Sequence, residues 1–166
     1  MDGVPVIVPD RMLGPVRRWA LRELKVHPGQ VVVVVGCPVA WTLPVLRELV
    51  CAAGALLVFE DGARRAREAS ERIAAGGWSN VAVVAEGLDA RELPPRADRV
   101  LLDDDRVLGT GDEVERLIGL LGPSGRLAAV CRRPGRPWAG LEDRLPGLRR
   151  ESFYWGAAHA VWGQVR

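Results

Sequence analysis

At 166 residues the chain has the length of one domain, enough to bury a core without disulfide or metal staples. Its 48% hydrophobic and 27% charged residues exclude wholesale disorder. The near-balanced charge, 23 basic against 21 acidic residues, speaks against a dedicated nucleic-acid binder, which carries a strongly basic face.

In chain order, Arg11 to Lys25 places Leu13, Val16, Leu21 and Leu24 near one helical face and leaves Arg17, Arg18, Arg22 and Glu23 for water. His27 to Gln30 is a turn, punctuated by Pro28 and Gly29. Val31 to Val35 is an unbroken run of β-branched residues and predicts a strand buried on both faces. A helix over Thr42 to Ala53, ended by Gly54, leads to a strand at Leu56 to Phe59. A second helix at Ala63 to Ala75 stops at Gly76-Gly77, and Val81 to Ala85 is a third strand.

The link from Glu86 to Asp98 is too short and Pro-rich for a full helix. Arg99 to Leu102 is the fourth strand and runs into Asp103-Asp104-Asp105. A helix near Glu113 to Leu121 ends at Gly122-Pro123-Ser124-Gly125, before a fifth strand at Leu127 to Val130. Leu148 to Val165 reads as two strands joined around Gly156. Alternating strands and helices with two-sided apolar strands specify an α/β domain, a mostly parallel sheet covered by helices with an antiparallel edge from the tail.

No apolar run approaches the ~20 residues of a membrane span. The first residues, Met1 to Pro9, lack the basic start of a secretion signal, so neither membrane nor nucleic acid is an expected partner and the cytoplasm is the expected location. Cys37, Cys51 and Cys131 form no C-x-x-C pair; mostly buried, reduced thiols are expected and no metal site. Lys25 is the only lysine, a bias toward arginine that fits a GC-rich coding genome. The pairs Arg17-Arg18, Arg64-Arg65 and Arg149-Arg150 are read as solvated faces.

Ligands of open α/β sheets bind at the carboxyl ends of the strands. Two features stand there: Gly36 in the loop leaving the first strand, and Glu60-Asp61 ending the second, close to the roughly 20 residues expected between a phosphate-loop glycine and a ribose-binding acid. With these residues in place the whole chain resembles the class I S-adenosylmethionine-dependent methyltransferases. Val31 to Ala40 is similar to that family's first motif and Leu57-Val58-Phe59-Glu60 to its second. Gly87 to Pro94, with Leu88 and Asp89, is similar to the third, and Asp98 to Asp103 to the fourth. Leu120 to Leu127 is similar to the turn into strand five.

The resemblance implies a Rossmann-like, doubly wound sheet of seven strands, mostly parallel with an antiparallel C-terminal strand, in one methyltransferase-like domain over residues 1–166. Within it, residues 1–26 are a leading segment and helix and 31–165 the sheet core. It implies S-adenosylmethionine as cofactor, with Gly36, Cys37, Glu60, Asp61, Leu88, Asp89 and Asp103 as cofactor-binding candidates and Asp103 as the candidate general base. Three positions depart from the family's first motif: Val34 replaces an acid, and Pro38 and Ala40 replace glycines. Pro38 offers no N–H to a ligand.

Each candidate has a structural alternative. Glu60 can be a solvated strand end, Gly36 a simple turn residue, Asp89 a cap of the short turn after it, and Cys37 an inert thiol. Asp98 is read as structural at its strand entry, His27 as a turn residue and His159 as a satisfied imidazole in the last strand. Asp103 to Asp105 can be a solvated loop or bind a hard cation. Phe153, Tyr154, Trp155 and Trp162 crowd the terminal hairpin, where core packing competes with a homodimer surface.

Three functions are carried forward. The first is methyl transfer to a small-molecule acceptor. The second is a methyltransferase fold without transfer that acts through a homo-oligomeric or partner surface. The third is a pocket repurposed for another reaction in natural-product biosynthesis.

Overall fold

The computed structural model describes residues 8–36, 41–85, 94–104, 106–109, 111–132 and 136–165. The strands are β1 (Val31–Val35), β2 (Ala55–Phe59), β3 (Val81–Val84), β4 (Ala97–Leu102), β5 (Leu121–Cys131), β6 (Arg149–Phe153) and β7 (Ala158–Gln164). They form one seven-stranded sheet in the order β3-β2-β1-β4-β5-β7-β6. All neighbours from β3 to β5 are parallel, and β7 runs antiparallel to both β5 and β6. The helices are α1 (Gly14–Leu24), α2 (Thr42–Val50), α3 (Ala63–Gly76), α4 (Gly111–Leu120) and the single turn α5 (Ala139–Glu142).

The valine run explains why both faces of the sheet are covered. Successive strand side chains point to opposite faces. Val32 and Val34 therefore join one core with Val16 and Leu24 of α1, Leu13 just before it, and Leu43 and Leu46 of α2. Val33 and Val35 join the other with Val114 and Leu117 of α4, Trp138 and Leu141. Each of these valines is essentially inaccessible to water, and burying one stabilises the fold by about 1.5–3 kcal/mol.

At the amino ends of the strands two polar side chains stitch the sheet. Asp98 accepts a hydrogen bond from the Val31 N–H at 2.9 Å, the structural role expected of it. The Asn80 amide donates to the carbonyls of Cys51 and Gly54 at 2.7 and 2.9 Å. His27 is exposed at the same end and so lies away from the ligand edge.

Three expectations are corrected. The helix that starts at Thr42, α2, ends at Val50, not Ala53, because Cys51 turns left-handed (φ 56°). Gly54 then packs so closely on the Gln30 carbonyl that a Cβ would lie 2.6 Å from it. Cys51 is exposed rather than buried, while Cys131 is buried. The fifth strand starts at Leu121, not Leu127: Leu121 pairs with Ala97, and a register shift follows through a turn in which Ser124 is left-handed (φ 64°). Among the described residues no helix is long and apolar enough to cross a membrane.

Candidate functional site

The parallel register carries three residues to the same level just past their strands. The Gly36 N–H donates to the Phe59 carbonyl at 2.8 Å, the Glu60 N–H to Val84 at 3.0 Å and the Asp103 N–H to Val35 at 2.8 Å. The chain leaves β1 toward β2 and β3 on one side and returns to β4 on the other, so β1 and β4 flank the point where strand order reverses. Open α/β sheets bind ligands in the crevice at that point. Gly36 has φ 81°, and a Cβ there would meet the Asp103 carbonyl carbon and oxygen and the Asp104 Cβ at 3.1 Å each. The glycine therefore serves both a left-handed turn and a close approach of the β1 and β4 ends.

Among the described residues, Asp103 is the innermost group of an ion network with Arg17, Arg132 and Asp10. Arg17 on α1 donates from Nε to Asp103 Oδ2 at 2.7 Å and from Nη2 to Oδ1 at 3.4 Å. Arg132, just past β5, donates from Nη2 to the Asp103 carbonyl at 2.9 Å and to Oδ1 at 3.4 Å. Asp10, in the one-turn helix Asp10–Met12, lies outside both arginines: its Oδ1 is 2.6 Å from Arg17 Nη2 and 3.2 Å from Arg132 Nη1. Burial pushes the Asp103 carboxyl above its ordinary value, against the pull of Arg17 and then Arg132. The hydrogen bond from Arg17 holds Asp10 below its ordinary value, against its own partial burial.

A second set of pairs covers the ends of β2 and β4. The Glu60 side chain is wholly buried, and its Oε1 accepts from the Gly62 N–H at 2.8 Å and from Arg65 Nη2 at 2.9 Å. Arg106 grips Asp104 through Nε, at 2.9 and 3.0 Å from its two oxygens, and through Nη2, and the same Nη2 reaches Asp61 at 3.1 Å. Arg106 thus ties the end of β2 to the end of β4. The Thr42 hydroxyl, at the start of α2, is buried and has no hydrogen-bond partner among the described residues. Cys37, Pro38, Ala40, Leu88, Asp89 and Asp105 lie outside the described residues.

Gly36, Glu60, Asp61 and Asp103 are therefore brought to one edge. Among the described residues no group of three His, Cys, Asp or Glu side chains is placed to hold a metal ion. His159 lies elsewhere, on β7, buried with its ring edge-on to Trp138 at 4.6 Å between centroids and Nδ1 3.0 Å from the Ser152 hydroxyl.

The arginines are what sequence reasoning missed. Arg17 was expected on a solvated face, yet it is buried, and so is Leu13 one turn before it. The signal was present: Arg17 sits four residues after Leu13, three before Ala20 and four before Leu21, within the apolar stripe of α1. Arg65, likewise expected in solvent, reaches back to Glu60. Nothing in the local pattern marks Arg132, whose partners Asp10 and Asp103 are distant in sequence, or the reach of Arg106 past its near neighbour Asp104 to Asp61.

No protein-family model matches the chain, and no curated protein matches it. Solved structures do. An S-adenosylmethionine-dependent O-methyltransferase from Thermotoga maritima superposes with a TM-score of 0.74 at 16% identity, covering 99% of this chain and 68% of that one. N-methyltransferase NodS from Bradyrhizobium japonicum gives 0.74 at 13% identity, covering 93% and 97%. An S-adenosylmethionine-dependent methyltransferase from Aquifex aeolicus gives 0.68 at 20% identity, covering 90% and 89%. Strand order, the antiparallel β7 and these superpositions together establish that the chain has the class I, Rossmann-like methyltransferase fold.

Proposed function

We propose that the chain is an S-adenosylmethionine-dependent methyltransferase acting on a small-molecule acceptor. The observation that carries this reading is Glu60, a fully buried carboxylate at the carboxyl end of β2, beside the reversal in strand order. Its donor partners, the Gly62 N–H and Arg65, fix its orientation through Oε1. A carboxylate so fixed suits the paired hydroxyls of a ribose. The buried Thr42 hydroxyl, at the start of the helix that follows the β1 loop, suits a polar group at the other end of the cofactor. On these two observations the residues present fit the cofactor.

When bound, S-adenosylmethionine supplies an electrophilic methyl group on a sulfonium. The work of the chain is binding and orientation, which accounts for most of the catalysis expected of such a transfer. Glu60 accepts hydrogen bonds from the ribose. Gly36 lets the β1 and β4 ends close on one another. Asp103 was expected to act as general base; with two guanidinium groups on its oxygens, we assign it to holding the crevice wall between β4 and β5. The test is incubation with methyl-labelled cofactor and a panel of small O-, N- and C-nucleophiles. Label transferred by the wild-type chain and lost in Glu60→Ala supports the reading; no transfer to any acceptor, with cofactor bound, counts against it.

A second reading, the same fold without methyl transfer acting as a homodimer, is favoured by one feature of the β6–β7 hairpin. Trp155 is fully exposed while both Tyr154 and Trp155 are left-handed (φ 52° and 54°), a conformation that costs a non-glycine residue about 1–2 kcal/mol. A large apolar side chain held in water at that cost is the pattern of an interface anchor.

A further inference from the structure

We propose that Arg17 and Arg132 form a seat for a carboxylate borne by the acceptor, and that Asp10 fills that seat with the side chain of the protein itself. Naming the acceptor's chemistry rests on the methyltransferase reading; the seat does not.

Burial is graded across the ion network. Side-chain exposure rises outward, from 0% at Asp103 to 9% at Arg17, 24% at Arg132 and 65% at Asp10. The two inner partners are parts of the sandwich: Asp103 is anchored by its backbone to β1, and Arg17 by the buried stripe of α1. Outward of Asp103 both arginines also meet Asp10, whose Oδ1 is 2.6 Å from Arg17 and 3.2 Å from Arg132.

Two features make this a ligand seat rather than a structural clasp alone. Arg17 is more than nine-tenths buried and still directs Nη1 and Nη2 outward, with Nη1 at 3.4 Å from both the Asp10 carbonyl and Oδ2. A guanidinium fork presented this way matches a planar carboxylate. The occupant, by contrast, is mostly in water, and an ion-pair partner so exposed is held weakly, so exchanging it for another anion costs little. The seat also lies at the edge an acceptor would approach, past the ends of β4 and β5 and next to the reversal of strand order between β1 and β4. A carboxylate there holds one end of a small molecule while the rest lies over the crevice. In this chain the entering acceptor competes with Asp10.

The experiment uses the full chain without cofactor, so its failure is separable from failure of the cofactor reading. Benzoate, benzamide and inorganic phosphate are titrated calorimetrically into the wild type, Asp10→Asn, Arg132→Gln and, as a control, Asp143→Asn, an exposed acid elsewhere. If Asp10 occupies the seat nine-tenths of the time, removing it raises benzoate affinity about tenfold, because apparent affinity scales with the fraction of competent seats. Benzamide stays weak in all chains, Arg132→Gln loses benzoate, and Asp143→Asn matches the wild type. Equal benzoate affinity in Asp10→Asn and wild type overturns the proposal, as does phosphate binding without benzoate binding. A measurement on the wild type alone covers the case of an unstable variant. As benzoate takes the arginines, NMR titration of the Asp10 carboxyl moves up toward the ordinary carboxylate range, and an unchanged titration at saturating benzoate overturns the seat.

Discussion

Replacing Arg17 by methionine is the most informative single perturbation of the ion network. The substitution keeps a long apolar stem in the α1 stripe and deletes the guanidinium that contacts Asp103 at 2.7 Å. Asp103 stays wholly buried and retains Arg132 at 3.4 Å from Oδ1. Breaking a buried pair from one side costs about 3–5 kcal/mol, and the remaining arginine places this case near the lower end. Losing the outer pair with Asp10 adds little, since Asp10 is mostly exposed and exposed pairs contribute about 0–1 kcal/mol. A loss of about 3 kcal/mol lowers the melting temperature by roughly 6–12 °C for a chain of this size.

The assay is urea denaturation followed by tryptophan fluorescence, with the m value checked for constancy. The double variant Arg17→Met, Asp103→Leu removes both charges and recovers most of the loss, because two apolar groups of similar size replace a buried pair at little net cost. A loss below about 1 kcal/mol for Arg17→Met would refute the reasoning, since it would put Asp103 within reach of water.

Other consequences follow from separate parts of the fold. Gly36→Ala places a Cβ on a left-handed residue, at about 1–2 kcal/mol, and 3.1 Å from Asp103 backbone that cannot swing aside; a thermal melt shows the loss, and an unchanged melting temperature contradicts it. Burial lowers the His159 value from 6.5, helped by Arg150 and opposed by a hydrogen bond to the Gly156 backbone. Its contribution to stability is therefore complete above pH 6.5 and is lost as pH falls below it, toward the depressed folded value. Melting curves from pH 8 to pH 5 show this slope in the wild type, and His159→Gln flattens it; equal slopes in the two chains would remove His159 as the source. If Trp155 anchors a homodimer, the concentration-dependent molar mass of the wild type falls to that of a monomer in Trp155→Ala, and a mass that is monomeric in both chains rules the interface out.

Much of the scaffold is legible in the amino-acid order because its causes are local. Val31 to Val35 can be satisfied on both faces only in the middle of a covered sheet, and Gly77 stops α3 in a left-handed cap. Glu60, Gly36 and Asp103 are legible as edge residues because each directly follows a strand. The electrostatics of the edge are not, because the pairs join residues far apart in the chain, such as Arg17 with Asp103 and Arg106 with Asp61. An arginine run reads as solvent-facing until tertiary packing buries one member; Arg17 and Arg18 are neighbours, one buried and one exposed. The same reason hides the end of α2, where the left-handed Cys51 answers to the packing of Gly54 against Gln30 rather than to any breaker at that position.

The central claim is that the carboxyl edge of β1 and β2 binds an S-adenosyl nucleoside through Glu60. Calorimetric titration of S-adenosylhomocysteine into the wild type and Glu60→Gln tests it most directly, with a thermal melt confirming that the variant is folded. The account predicts saturable binding to the wild type, weakened at least about tenfold in Glu60→Gln, the equivalent of one charged hydrogen bond of ~1.4 kcal/mol. Absence of binding to the folded wild-type chain at millimolar nucleoside, or equal affinity in both chains, would contradict it.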